Sequence, residues 1–287
     1  MFEFMFRIMA GFALDVFTLD SAREAWRSGN AASVIATPIE NISLGASLEA
    51  ACWAATGDAE AAKVVERWAM SFPIVAEALA ALTGASSFPS AGDHDAPPHE
   101  VRACPSRSEL KDASVGVEWN YFLDRFRRSL VKRLKLNTST AWALSAALEE
   151  MADNVSEHSG LGDASKGIIA YEVNDEFFAF AVGDLGRGIR ASLNENPQHD
   201  AISTDESALL AAVTCGASRR PGPNGEGFAL LLRALADLEG SWAFRSGSAR
   251  LTLEGRGAGA RIVRPSNCLD MLGFQLSVEA QPKKSTW

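Results

Sequence analysis

The run EFFAFAVGD, residues 176–184, constrains the fold of this 287-residue chain more than any other segment. It is apolar at nearly every position and short, which indicates a β-strand buried on both faces. The preceding run GIIAYEVN, residues 167–174, predicts a second strand. Helix-like and strand-like patterns alternate from about residue 113 to residue 280, so this strand belongs to a region that contains both.

The chain divides into three zones by composition. Residues 1–86 are rich in alanine and predict an N-terminal domain, mainly helical or mixed, in which residues 59–84 form two helices broken near Pro73. Residues 87–112 are dense in proline, serine, glycine and charge, which predicts a linker or an exposed loop. Residues 113–287 form the third zone.

Further elements of the third zone follow from their periodicity. Residues 119–136 predict an amphipathic helix with a basic outer face, and residues 138–158 a second helix capped by Thr138 or Ser139. The remaining predictions are a helix over 225–240, a hairpin of 242–247 with 250–255, and a strand over 272–280.

Charge and cysteine usage exclude several classes of protein. A net charge of -9 argues against a nucleic-acid partner, which needs clustered Lys and Arg. The four cysteines are far apart and form no CxxC pair, so we expect reduced thiols in a cytoplasmic protein without a zinc site. The apolar N-terminus is interrupted by charges and lacks a cleavage site, so we expect neither a targeting signal nor a membrane span.

Residues 147–160, ALEEMADNVSEHSG, carry an unusual polar line. On a helix, Glu150, Asn154 and His158 follow each other at four-residue steps and lie about 90° from the core stripe at their middle. The core stripe consists of Leu144, Leu148, Met151 and Val155. A solvated helix face explains such a line by itself, and the rest of the chain favours a different interpretation.

The segment EEMADNVSEHS resembles the first motif of the GHKL (Bergerat-fold) ATPase superfamily, which includes gyrase and histidine kinases. The resemblance implies that Asn154 holds Mg²⁺ against the phosphates of ATP, that Glu150 orients or deprotonates the attacking group, and that His158 lies near the phosphates. It also implies an α+β fold, a Bergerat-type α/β sandwich whose mixed sheet is covered by helices on one face.

The segment FFAFAVGDLGRGI is similar to the second motif of the superfamily, D-x-G-x-G. It supplies Asp184, Gly186 and Gly188 directly after the buried strand. In the superfamily this aspartate accepts a hydrogen bond from the adenine amino group. Glycines permit close backbone approach and positive φ. The resemblance therefore places the adenine base at this strand end.

The segment PGPNGEGFALLL resembles the third motif, G-x-G-L-G-L, through Gly225 and Gly227. A glycine-rich loop that leads into a helix can present free backbone N–H groups to phosphates. Phe228 replaces a leucine of that motif and Ala229 replaces a glycine. There is no GxxxxGK[ST] loop in the sequence, which excludes a Walker-type site.

Residues 190–224 correspond by resemblance to the mobile lid of these ATPases. The polar, Gly- and Pro-containing sequence predicts a loop around one short helix. Arg219 and Arg220 are placed to reach phosphate when the lid closes, although exposed loop arginines are more often simply solvated.

The resemblance implies a regulatory protein that binds ATP and Mg²⁺ and controls a protein partner through hydrolysis or phosphoryl transfer. The charge and the hydropathy predict neither a nucleic-acid nor a membrane partner. In its overall arrangement of motifs, the third zone most resembles stand-alone bacterial ATP-binding proteins similar to anti-sigma-factor kinases. Many relatives of these proteins form homodimers. Two alternatives remain. One is a nucleotide-binding interaction module without hydrolysis. The other is the catalytic part of a histidine kinase, with His99 in HEVRACP as the acceptor.

Overall fold

The structure is a computed structural model that describes residues 12–30, 34, 39–84, 97–160, 167–219, 226–256 and 261–282. Nine α-helices lie within these ranges: α1 (Val16–Arg27), α2 (Leu44–Ala54), α3 (Ala59–Ala69), α4 (Pro73–Thr83), α5 (Ala113–Lys132), α6 (Thr138–His158), α7 (Gly188–Leu193), α8 (Asp205–Cys215) and α9 (Glu226–Ala234). Two short 3-10 helices span Glu109–Lys111 and Pro197–His199.

The strands of the described residues form two sheets. A small parallel pair joins β1 (Phe12–Leu14) to β2 (Ile39–Ile42). The main sheet has seven strands in the order β3-β4-β5-β9-β6-β7-β8, and every neighbouring pair is antiparallel. Its strands are β3 (His99–Ala103), β4 (Gly167–Val173), β5 (Phe178–Asp184), β6 (Glu239–Ser246), β7 (Ala249–Arg256), β8 (Arg261–Asn267) and β9 (Phe274–Gln281).

Strand β5 is buried along its whole length because both faces of the sheet are covered. Successive side chains of a strand point to opposite faces. Phe178 and Phe180 accordingly join the core that packs under α5 and α6. Ala179 and Ala181 point the other way and join the core formed with the N-terminal helices. Large side chains on one face and alanines on the other give the central strand two different packing partners.

The alanine face lets helix α2 approach the sheet closely. All eleven residues of this helix are buried. A Cβ atom built on Gly45 would lie 2.4 Å from the Oγ atom of Ser277 on β9. Only glycine fits at that contact, so the small residues of α2 hold the N-terminal helices tightly against the main sheet.

The predicted α+β class is confirmed by this arrangement. The two helices predicted within 59–84 appear as α3 and α4, and the predicted hairpin pairs β6 with β7. The sheet differs from the predicted one in two respects. It is antiparallel throughout instead of mixed, and helices cover both faces instead of one, because alternate residues of β4 and β5 are apolar on each side.

Strand β3 lies inside the segment predicted as a linker, residues 87–112. The charged side chains Glu100 and Arg102 contributed to the prediction of an exposed loop, yet both are buried. Glu100 accepts hydrogen bonds from Arg102 at 2.7 Å, from Arg125 at 2.7 Å and from the hydroxyl of Tyr171 at 3.0 Å. Paired charges can be buried where single charges cannot. The division into domains at residues 86–87 and 112–113 stays a prediction, since residues 85–96 lie outside the described ones.

Helix α6 spans the predicted residues 138–158, but its N-cap lies one residue ahead of the predicted ones. Its N-cap is Asn137, whose side-chain oxygen accepts the backbone N–H of Thr140 at 2.8 Å. Thr138 and Ser139, the predicted caps, are already helical. Asparagine is at least as good an N-cap as threonine, so the first suitable residue ends the preceding loop. The helix then runs without a break to His158, at the candidate site.

Candidate functional site

Helix α6 carries the predicted polar line next to a cavity. Leu144, Leu148, Met151 and Val155 are buried in the core, as the core stripe predicts. Glu150, Asn154 and His158 are only partly buried, and all three line the same cavity. The core stripe fixes the rotation of the helix, so the polar line is held at the cavity wall and not in open solvent.

The end of β5 places a buried carboxylate at this cavity. Asp184 is only 4% exposed, and its Oδ1 atom accepts the backbone N–H of Gly186 at 2.7 Å. Burial raises the pKa of Asp184 to about 7, against the hydrogen bonds from the backbone amides of Gly186 and Phe274, which lower it. A carboxylate held by backbone amides in a dry pocket is a strong acceptor for a ligand N–H group.

Two glycines after Asp184 allow close packing of the turn. A Cβ atom on Gly186 would lie 2.3 Å from the carbonyl oxygen of Ser159, at the end of α6. Gly188 has φ +78° and would place a Cβ atom 2.8 Å from the Oγ atom of Ser246. Gly188 lines the cavity, whereas Gly186 joins the turn to the end of α6. Each glycine therefore has a steric reason to be there.

The first turn of α9 lies against the polar line of α6. A Cβ atom on Gly227 would lie 3.0 Å from Nδ2 of Asn154 and 3.2 Å from Oε1 of Glu150. Phe228 packs on Phe244 and Phe274, with ring centroids 5.5 and 5.7 Å apart. This explains the phenylalanine at the position of the motif's leucine, since it fills the core below the cavity. Gly225 and Arg220 lie outside the described residues.

The three segments meet around one cavity that is open to solvent. Six of the predicted site residues line it: Glu150, Asn154, His158, Asp184, Gly188 and Gly227. The other lining residues are Val155, Ser159, Ile189, Ser192, Leu193, Ala212, Ala217, Ser218, Arg219, Phe228 and Phe274. Polar groups thus lie on a largely apolar wall, the composition that favours binding of a flat organic ring with a charged tail.

Residues 190–219 of the predicted lid form the outer wall of the cavity. They contain most of α7, the 3-10 helix and α8, which is more helix than the single short one predicted. This segment is tied to the hairpin turn between β6 and β7, because Asp205 accepts hydrogen bonds from the backbone N–H of Ser248 at 3.0 Å and from its hydroxyl at 2.9 Å.

Arg219 is held in an ion-pair cluster instead of being solvated. Its Nη1 atom lies 3.1 Å from Oε2 of Glu195, and its Nη2 atom donates to the carbonyl of Glu157 at 3.2 Å. Arg187 also binds Glu195 and donates to the carbonyl of His158 at 3.1 Å. Two guanidinium groups thus contact the C-terminal carbonyls of α6, which carry partial negative charge.

The alternative acceptor His99 is the first residue of strand β3, at an edge of the main sheet. Its Nε2 atom lies 3.4 Å from Oε1 of Glu77 on α4. The side-chain hydrogen bond to Glu77 raises its pKa, although partial burial lowers it. A phosphoacceptor of a histidine kinase needs a helical hairpin, and His99 lies on a strand.

Sequence reasoning missed the loop before β9. Gly273 has φ +78°, and a Cβ atom there would lie 2.0 Å from the carbonyl oxygen of Asp184. Phe274 follows it and lines the cavity. The only signal was a glycine at the second position of the predicted strand 272–280, and glycines at strand ends are common in turns.

No family model matches the chain, and no curated protein matches it in sequence. Among solved structures, the chain is similar to the 43K ATPase domain of Thermus thermophilus gyrase B, determined in complex with an aminocoumarin. The identity is 16% and the TM-score 0.24, over 56% of this chain and 39% of the gyrase chain. This chain thus spans about two fifths of that protein. A likeness this distant carries no argument, so the fold class depends on the observed strand order and helix packing.

No helix among the residues described is long and apolar enough to cross a membrane.

Proposed function

We propose that the cavity binds an adenine nucleotide together with Mg²⁺, and that the protein hydrolyses ATP or transfers its terminal phosphoryl group. The observation that carries the proposal is the convergence of three distant segments on one cavity. The end of β5 brings a buried acid, α6 brings a line of polar side chains, and α9 brings its N-terminal turn.

The residues that line the cavity suit both the base and the phosphates of such a nucleotide. Asp184 is a buried acceptor in the cavity wall, which suits the amino group of adenine. Asn154 offers an amide oxygen, a hard donor of the kind that Mg²⁺ prefers, and Mg²⁺ usually keeps phosphate oxygens as further ligands. Gly227 lies so close to the side chains of Glu150 and Asn154 that a Cβ atom there would make them shift by a few tenths of an ångström.

Each residue then has a defined task. Asp184 accepts a hydrogen bond from the base and so selects adenine. Asn154 holds the metal ion, whose charge stabilises the phosphates when bound. Glu150 orients the attacking hydroxyl or water and accepts its proton. His158 and the backbone N–H groups at the start of α9 face the phosphate end. Closure by the lid excludes water from the reaction.

The proposed lid, residues 190–224, also supports a regulatory role. A lid that responds to the terminal phosphate is an order–disorder element that reports nucleotide state to a protein partner. We therefore propose a regulatory ATP-binding protein whose partner is either phosphorylated or released when ATP is hydrolysed.

Incubation with γ-labelled ATP and Mg²⁺ tests the proposal. The wild-type protein releases labelled phosphate or labels a partner. Glu150→Gln keeps nucleotide affinity and loses turnover by at least about a hundredfold, the usual size of a general-base contribution. Glu149→Gln, an exposed neighbour on the same helix, serves as the control and keeps both.

Binding without any turnover in the wild-type protein leaves only the interaction-module alternative. The absence of nucleotide binding overturns the whole proposal. If the protein itself becomes labelled and the label is lost in His99→Ala, the histidine-kinase alternative is correct instead.

A further inference from the structure

The loop of residues 269–273, which connects β8 to β9, forms part of the support beneath Asp184. Gly273 packs against the carbonyl oxygen of Asp184 so closely that no Cβ atom fits. Its own carbonyl oxygen accepts the hydroxyl of Ser246 at 3.2 Å. The next residue, Phe274, donates its backbone N–H to Asp184. Any shift of this loop therefore moves the groups that hold the buried carboxylate.

The other side of the same loop is bound by two arginines. Arg23, on helix α1, donates from Nη2 to the carbonyl of Asp270 at 2.9 Å and lies 3.8 Å from the sulfur of Met271. Arg245, on β6, donates from Nη2 to the carbonyl of Leu269 at 2.5 Å. The loop is thus held between the N-terminal helix and the site of Asp184.

A charge imbalance explains why the arginines reach the loop. Arg245 lies 2.7 Å from Asp20 and 2.9 Å from Glu49. Arg250 lies 2.6 Å from Asp20 and 3.0 Å from Glu49, and Arg23 lies 3.5 Å from Asp20. Three guanidinium groups therefore share two carboxylates, and all are largely buried. The excess positive charge needs acceptors in a dry interior, and the carbonyls of the loop supply them.

We infer that Arg23 is a positioning residue for the nucleotide base: through the 269–273 loop it sets the place of Asp184, and it makes helix α1 part of the site. This inference rests on the proposed function. The inference gives the N-terminal helices a function. A signal that shifts α1 changes base recognition through the loop, without any contact between α1 and the nucleotide.

Arg23→Met is the variant that isolates this task. Methionine keeps an unbranched apolar stem in the same space. It also leaves two guanidinium groups facing two carboxylates, so the remaining cluster is balanced and the fold persists. Arg27→Met, an exposed arginine at the end of the same helix, is the matched control.

Isothermal titration of the full chain with ADP and with IDP, each with Mg²⁺, measures the base contact. IDP lacks the amino group that donates the proposed hydrogen bond to Asp184. Arg23→Met weakens ADP binding roughly two- to thirtyfold, the range of typical coupling effects, and leaves IDP binding nearly unchanged. A purely structural role would lower thermal stability and leave the preference for ADP intact in the folded protein. An unchanged preference in Arg23→Met overturns the inference.

Hydrogen exchange separates this inference from the proposed function. Arg23→Met speeds amide exchange in residues 269–275 relative to Arg27→Met, whether or not a nucleotide binds. If the wild-type protein binds neither ADP nor IDP, the proposed function fails. Amide exchange alone then shows whether Arg23 positions the 269–273 loop. Faster exchange supports it, and equal exchange in the two variants overturns it.

Discussion

At the scale of single residues, Asp184 combines a cost to stability with a gain in binding. Its raised pKa means that the folded protein holds a proton there up to about pH 7, while the ordinary value is 3.8. The stabilising contribution of this proton is fully present below about pH 4 and is lost as the pH rises through 7. Ligand-binding residues often carry such a cost.

Asp184→Asn should therefore raise stability and abolish binding. At pH 8 we expect the variant to unfold later in urea, with a gain of up to about 4 kcal/mol because each pKa unit is worth about 1.4 kcal/mol. Asp175→Asn, an exposed aspartate before β5, is the control and changes little. In the wild-type protein, adenosine affinity should fall about tenfold between pH 8 and pH 6 as the carboxylate is protonated. A variant that is less stable and still binds would refute this account of Asp184.

Gly273 offers a second test at a single position. Gly273→Ala adds a Cβ atom 2.0 Å from a carbonyl oxygen at φ +78°, and Gly84→Ala adds one at φ +73° with nothing within 4 Å. The pair separates the cost of the backbone angle from that of the clash. Urea denaturation should show a loss of about 1 kcal/mol for Gly84→Ala and at least about 2 kcal/mol more for Gly273→Ala. Equal losses would mean that the loop does not press on Asp184.

At the scale of elements, Glu195 joins residues 195–219 to the end of α6 through Arg187 and Arg219. The side-chain hydrogen bonds from Arg187, first, and Arg219 lower its pKa. Glu195→Gln removes the charge that both guanidinium groups share, so the segment 195–219 should open more often. Limited proteolysis should then cut this segment several times faster, whereas Glu206→Gln, an exposed residue of α8, should not change the rate. An unchanged cleavage rate in Glu195→Gln would show that other contacts hold this segment in place.

The helices and strands around the site were largely predictable, because each has a local pattern. The 3.6-residue spacing of Leu144, Leu148, Met151 and Val155 predicts both α6 and the side on which Glu150 and Asn154 lie. The apolar run of β5 and the two glycines after Asp184 are equally local. Cap residues were less predictable, since Asn137, Thr138 and Ser139 all suit an N-cap and only the path of the chain selects Asn137.

The pairing of distant segments was not predictable in the same way. Strand β3 looks like a loop until Arg125, from α5, is seen to neutralise Glu100. Arg23, Arg245 and Gly273 are far apart in sequence, so no periodicity joins them to Asp184. Their role depends on side chains that meet only after the sheet has formed.

At the scale of the whole molecule, the buried charge cluster joins the N-terminal helices to the main sheet. Glu49, on α2, binds Arg245 and Arg250 and is 3% exposed. Among the described residues, Glu49→Gln leaves these two arginines with Asp20 as their one paired carboxylate, which should cost about 3 kcal/mol. We expect one cooperative urea transition for the wild-type protein and a lower midpoint for the variant, with exposed Glu24→Gln as the control. Two separate transitions would show that the N-terminal helices unfold independently.

The central claim is that one nucleotide bridges β5, α6 and α9, and a crystal structure with Mg²⁺ and a non-hydrolysable ATP analogue tests it most directly. The account predicts density for the base beside Asp184 and for the metal ion beside Asn154, with the phosphates at the start of α9. Density for the analogue elsewhere on the protein, or a cavity that holds only water at saturating analogue, would contradict it.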